Sequence, residues 1–278
     1  MRIGISGKGG VGKTTIAAVV SRTLARRGHR VIAIDCDSDP NLGVGIGLGE
    51  QAELIRSVLD QSGPQRHVPV GLAPVELLDG YGFPAPDGVT ILLGARAEKA
   101  GSGCTGAAHV TIREFIEFAE RDLSGTFVVA DMEAGLEHLS WAGGTLRHVD
   151  MLLVVLQPTS KVLLTADRTN RLADELGIAE VAFIANRAAE GDRERLESFA
   201  SERGRELLAY IPDDQAVLEA DRRSECLLDW APDSAAVRAM ESLADVVELR
   251  GRQPVTTWAV DVDRRRTAAI VGTRNRGG

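Results

Sequence analysis

Gly7-Lys8-Gly9-Gly10-Val11-Gly12-Lys13-Thr14-Thr15 is the stretch from which the rest of this 278-residue chain is read. It fits the pattern Gly-x-x-x-x-Gly-Lys-Ser/Thr. Four fixed positions match by chance in about one sequence in a hundred at ordinary residue usage. Here the match also stands between an apolar run and a helical pattern, as a phosphate-binding loop must. The glycines let the backbone curl so that successive N–H groups point inward at phosphate oxygens, and the positive end of the following helix adds to the same field. Gly9, Gly10, Val11, Gly12, Lys13, Thr14 and Thr15 are therefore the expected phosphate cradle. Lys13 is expected on the β and γ phosphates of ATP, with the Thr14 hydroxyl on Mg²⁺.

Outward from the loop, short apolar runs alternate with helical patterns. Strands are predicted at Arg2–Ser6, Val31–Asp35, Val89–Leu93, Thr126–Asp131, Met151–Leu156, Val181–Ala185 and Leu207–Ile211. Their continuous apolar character, without alternation, is that of parallel strands covered on both faces. Helices are predicted at Lys13–Arg27, Thr111–Arg121, Val162–Leu176, Asp192–Arg203 and about Ser234–Leu249. Gly28 and Gly177 stand where helix C-termini favour a residue that tolerates positive φ. The expected fold class is α/β, a doubly wound and mostly parallel sheet flanked by helices. Residues 1–250 are expected to form one domain. The Gly- and Pro-rich segment 61–88 reads as an insertion-like excursion rather than a sheet element. Residues 251–278 read as a tail, either a hairpin or disordered.

Acidic residues close two of the strands. Asp35-Cys36-Asp37-Ser38-Asp39-Pro40-Asn41-Leu42 follows the second, in the crevice where open α/β sheets bind ligands. A carboxylate there can orient an attacking water or hold Mg²⁺ through a bridging water. Phe127-Val128-Val129-Ala130-Asp131 is a hydrophobic strand ending in Asp, which puts Asp131 near Mg²⁺.

Lys8-Gly9-Gly10-Val11-Gly12-Lys13-Thr14 resembles the deviant phosphate loop of the MinD/ParA/nitrogenase-iron-protein class of P-loop ATPases. The resemblance implies a MinD-like ATP hydrolase that forms an ATP-dependent homodimer, with Lys8 reaching the partner's nucleotide. It also implies that Asp37 positions the hydrolytic water and Asn41 senses the γ phosphate. The usual Asp-Pro pair of the class is displaced here, so Asp39 stays a rival to Asp37. Phe183-Ile184-Ala185-Asn186-Arg187 is similar to the adenine-reading segment of the class, where the Asn186 amide offers donor and acceptor to the base. Tyr210-Ile211-Pro212-Asp213-Asp214 resembles the loop that closes over it.

Met132-Glu133-Ala134-Gly135-Leu136-Glu137-His138-Leu139 closely resembles the second switch of CooC-type ATPases, the nickel-insertion partners of carbon monoxide dehydrogenase. That resemblance implies a client metalloprotein and a metal held by Cys-x-Cys at the dimer axis. Cys104 falls in the corresponding place, but Gly106 replaces the second cysteine. Ni²⁺ or Zn²⁺ could still be held there if His109, or another group, supplied nitrogen. His109 otherwise reads as a helix-start residue, and His138 as part of the moving switch. An iron–sulfur reductase is disfavoured, because Met132-Glu133-Ala134 supplies no second cysteine after Asp131. The alternative is a MinD/ParA-like positioning ATPase, or a nucleotide switch acting on a protein partner without metal.

Composition narrows the field. A net charge of −8 disfavours a nucleic-acid partner, whose phosphates call for basic surfaces. No apolar run reaches the roughly 20 residues that span a bilayer, and the end of the chain lacks an apolar helical face, so no membrane insertion is expected. Three scattered cysteines build no disulfide framework, and a cytoplasmic location is expected.

Overall fold

The computed structural model describes residues 1–59, 71–97, 106–140 and 144–252. Its strands are β1 (Arg2–Gly7), β2 (Val31–Asp35), β3 (Phe83–Pro84), β4 (Thr90–Leu93), β5 (Phe127–Asp131), β6 (Met151–Leu156), β7 (Glu180–Ala188) and β8 (Glu206–Pro212). They pair in one sheet in the order β3-β4-β2-β5-β1-β6-β7-β8. Every pairing is parallel except that of β3 with β4.

The helices are α1 (Lys13–Arg26), α2 (Leu42–Ile46), α3 (Pro74–Tyr81), α4 (Gly106–Asp122), α5 (Glu137–Ser140), α6 (Ser160–Leu176), α7 (Arg193–Ser201), α8 (Gln215–Arg222), α9 (Leu227–Trp230) and α10 (Ala235–Gly251). Alternate residues of each strand go to opposite sides of the sheet, and both sides are covered. Ile3, Ile5, Val129, Leu153 and Ile184 pack with α1 and α10. Ile34, Val128, Leu152, Val154 and Phe183 pack with α4, α6 and α7. Double coverage is the physical reason that the strands read as unbroken apolar runs.

The predicted excursion at 61–88 needs a correction, because Phe83–Pro84 joins the sheet edge as a two-residue antiparallel strand. Proline and so short a length are tolerated at an edge, and both limit further pairing there. Residues 60–70 of that segment, and the tail from 253, lie outside the described residues.

The helix that follows the phosphate loop is clamped at its far end. Arg22 of α1 is almost wholly buried. It donates to Asp87 at 2.6 Å, to both carboxylate oxygens of Asp229, and to the Ile46 carbonyl at 3.2 Å. Exposed Arg26 bonds the same two carboxylates, at 2.8 and 3.0 Å. Removing a buried charge leaves its partners unmatched, whereas surface ion pairs contribute little. Arg22→Met is therefore expected to lower unfolding free energy by about 2–3 kcal/mol. Arg26→Ala should lower it by less than about 1 kcal/mol. Urea titration of both variants checks the contrast.

Candidate nucleotide site

β1 ends at Gly7, and the chain then turns through Lys8–Gly12 into α1. Two glycines make that turn feasible. Gly10 has φ 77° and Gly12 has φ 94°, values that an L side chain adopts only with strain. Gly12 is also tightly overlaid, since a Cβ built on it would lie 2.4 Å from Asn186 Nδ2. Asn186, at the end of β7, is buried and donates from Nδ2 to the Val11 carbonyl at 2.7 Å. The residue expected to read the base thus also braces the phosphate loop. Gly12→Ala should displace Asn186 and strain the backbone, weakening ATP at least tenfold with about 1–2 kcal/mol lost in stability. Calorimetric titration beside thermal melting separates the two effects.

The side chains divide by exposure. Lys8, Gly9 and Gly10 face solvent, while Val11 and Lys13 are buried and Thr14 and Thr15 are half-buried. Burial pulls the Lys13 ammonium pKa down, against the opposing pull of the Asp131, Asp37 and Glu133 carboxylates. Asp131 ends β5 beside β1, where it pairs in register with Ile5. Its carboxyl is buried and hydrogen-bonded by the Thr14 side chain, and its Oδ1 has no hydrogen-bond partner among the described residues. Burial pushes the Asp131 pKa up, and Asp35, its register neighbour on β2, pushes it further. Two adjacent buried carboxyls, one oxygen unengaged and a Thr hydroxyl alongside make a donor set suited to Mg²⁺, an oxygen-seeking cation.

Asp35 is a residue whose role sequence reasoning missed. It is 1% exposed and accepts the Leu42 N–H at 2.9 Å and the Asp37 N–H at 3.0 Å. It thereby folds the acidic loop 36–41 back beneath the strand ends. Asp37 is half-buried, with Oδ1 accepting the Asp39 N–H at 3.0 Å. Asp39 is exposed, and its carbonyl accepts from Asn41 Nδ2 at 2.7 Å. Ser38 Oγ and Glu133 Oε1, 3.5 Å apart, bring this loop to the one that follows β5. Ala134, on that second loop, would touch a Cβ on Gly9 at 3.5 Å.

A crevice beside the loop gathers Gly12, Thr15, Asn186, Pro212 and Asp213, together with Arg187 and Asp214. Arg187 holds φ 51°, a left-handed conformation that turns the chain sharply after Asn186. Asp214, also unassigned by the sequence, accepts from Ala216 and Ala236 N–H groups at 3.0 Å each, fixing the loop between β8 and α8 against the start of α10. Asn41 and Thr14 line an adjoining cavity of about 170 Å³ rather than the crevice itself, and Thr15 borders both.

Cys104 lies outside the described residues, so its surroundings are not part of this geometry. His109 is in the first turn of α4, as a helix-start residue. Its side chain is also buried, with its ring centroid 4.8 Å from that of buried His138.

Residues 3–228 match the model of the CobQ/CobB/MinD/ParA nucleotide-binding domain. The chain is 33% identical over 233 residues to an uncharacterised ATP-binding protein of Methanocaldococcus jannaschii, covering 80% of this chain and 88% of that one. It is 32% identical over 249 residues to the carbon monoxide dehydrogenase accessory protein CooC of Rhodospirillum rubrum, covering 84% and 91%. The fold is similar to that of the cell-division protein MinD of Aquifex aeolicus. The TM-score is 0.67 at 21% identity, across 91% of this chain and 98% of that one.

Proposed function

The chain belongs to the CobQ/CobB/MinD/ParA nucleotide-binding family, and from that premise we propose that it is an Mg-ATP-dependent, dimerising ATPase that serves metallocofactor maturation in the manner of a nickel-insertion accessory protein. The observation that carries the ATPase part is the convergence at one point of the glycine turn, buried Lys13 and the Thr14–Asp131 pair. The similarity to CooC, extending over most of both chains, carries the maturation part.

In this reading the loop N–H groups and Lys13 hold the triphosphate, Thr14 and Asp131 receive Mg²⁺, and Asn186 with Pro212 and Asp213 surrounds the adenine. Mg²⁺, when bound, draws charge from the phosphate oxygens. Asp37 is the better candidate than Asp39 for orienting water, because it is half-buried and its charge acts on both Lys13 and Asp131. Asn41 stands on the same loop, fastened through Asp35, so a change at the γ phosphate can be passed to the backbone of that loop. Lys8, exposed at the loop crest, is free to reach a second copy of the chain.

The reading is tested by incubating the protein with Mg-ATP, following phosphate release, and measuring oligomeric state by sedimentation. Activation of a nickel-dependent client is then assayed with and without ATP. ATP-dependent dimers that stimulate the client support the proposal. Dimers that hydrolyse ATP yet leave nickel loading of the client unchanged would favour the alternative of a positioning ATPase or metal-free switch.

A further inference from the structure

We propose that His109 and His138 together form a labile two-imidazole site for a transition-metal ion, placed where the loop after β5 meets α4. The inference rests on the maturation reading above only in making that ion cargo; the site itself stands on separate observations. His138 begins just past Gly135, on α5, and is 2% exposed. No side-chain donor or acceptor reaches either ring nitrogen among the described residues, and the one polar group acting on the ring by a hydrogen bond is the Glu133 backbone. Buried polar atoms are almost always satisfied. The Glu133 backbone can serve one nitrogen at most, so the other calls for a ligand or an ion, as in metal-bound histidines whose second nitrogen is held by a backbone group.

His109 supplies the second ring. The two centroids are 4.8 Å apart with planes inclined at 64°. With metal–nitrogen bonds of about 2.0–2.1 Å, two imidazoles on one ion place their centroids about 4.5 Å apart at a right angle and about 5.2 Å apart at a tetrahedral angle. The observed separation falls between them. Imidazole nitrogen suits Ni²⁺, Cu²⁺ and Zn²⁺ and rejects Mg²⁺, so the site would not compete with the phosphate loop for its cation.

Among the described residues no group of three or more His, Cys, Asp or Glu forms a complete cage. Two protein nitrogens with the remaining positions open hold an ion loosely, which suits cargo that has to leave. The location also ties the site to the nucleotide, because the loop leading from β5 to α5 meets the phosphate loop where Ala134 approaches Gly9. His138 feels the positive charge of Lys13, which opposes a second cation nearby. Phosphates seated on Lys13 would cancel that opposition, so ATP should tighten the metal and its departure should loosen it.

Equilibrium dialysis of the full chain against Ni²⁺, with nickel K-edge X-ray absorption on the loaded protein, tests the site. The wild type should bind about one ion per chain with imidazole scattering, and about tenfold more tightly with Mg-ATP present. His138→Gln and His109→Gln should each weaken Ni²⁺ at least tenfold, and Cys104→Ser should not. ATP affinity retained by His109→Gln would establish that this variant is folded. The site is overturned if nickel is not bound, if it survives both histidine substitutions, or if it is lost in Cys104→Ser. Such a failure leaves ATP-driven stimulation of the client untouched. Conversely, nickel on the histidines with no effect on any nickel-dependent client would sink the maturation reading and keep the site.

Discussion

Lys13→Ala is expected to abolish ATP binding at millimolar nucleotide. The ammonium is held in a buried position at the start of α1, with the Asp131, Asp37 and Glu133 carboxylates near it. A lysine so placed is costly to desolvate and is compensated when anionic phosphates arrive. Two charge-assisted hydrogen bonds to phosphate, at about 1.5–3 kcal/mol each, correspond to a loss of roughly a hundredfold to ten-thousandfold in affinity. The variant should still fold, because the carboxylates left behind can take up protons, burial having already raised the pKa of Asp131. Calorimetric titration with ATP in excess Mg²⁺ reads the result. Affinity within tenfold of the wild type would remove Lys13 from the site.

The second large effect belongs to Lys8→Ala, and it differs in kind. Lys8 is exposed, one residue past the end of β1, and its side chain is not built into the loop that it borders. ATP should therefore bind the variant within about threefold of its wild-type affinity. Turnover should fall on the order of a thousandfold, the scale on which a cation supplied across an interface accelerates phosphoryl transfer. The variant should also sediment as a monomer in the presence of ATP. Phosphate release and sedimentation velocity on the same sample check both halves. A monomer that turns over at the wild-type rate would show that Lys8 does not act on a partner's nucleotide.

The sequence made the sheet legible because its strands are buried on both faces, so each appears as an uninterrupted apolar run whatever its neighbours. Phe83–Pro84 escaped because a two-residue strand that itself contains a proline carries no periodicity to read. The short helices α2, α5 and α9, of four or five residues, escaped for the same reason. At the candidate site, Lys13, Thr14 and Asp131 could be nominated from the sequence because the chemistry proposed for them needs fixed spacings from a strand end, and the structure brings the three together. Asp35 was not, since an Asp inside a strand end looks like any other until its N–H partners at Leu42 and Asp37 are known. The meeting of His109 with His138 bridges 29 residues and two elements, and nothing local in either segment announces it.

The contact between Asn186 and the phosphate loop has a consequence for anyone wishing to give this enzyme an orthogonal nucleotide. The usual strategy carves space beside the purine by shortening the residue that faces it, and in the proposed adenine site that residue is Asn186. Shortening it would remove the strut beneath the Val11 carbonyl and slacken the turn at Gly12. Selectivity for a bulky analogue and grip on its phosphates would be lost together. Room for an enlarged base should instead be cut at Val217 or Met240, which line the same crevice and make none of the phosphate loop's hydrogen bonds among the described residues.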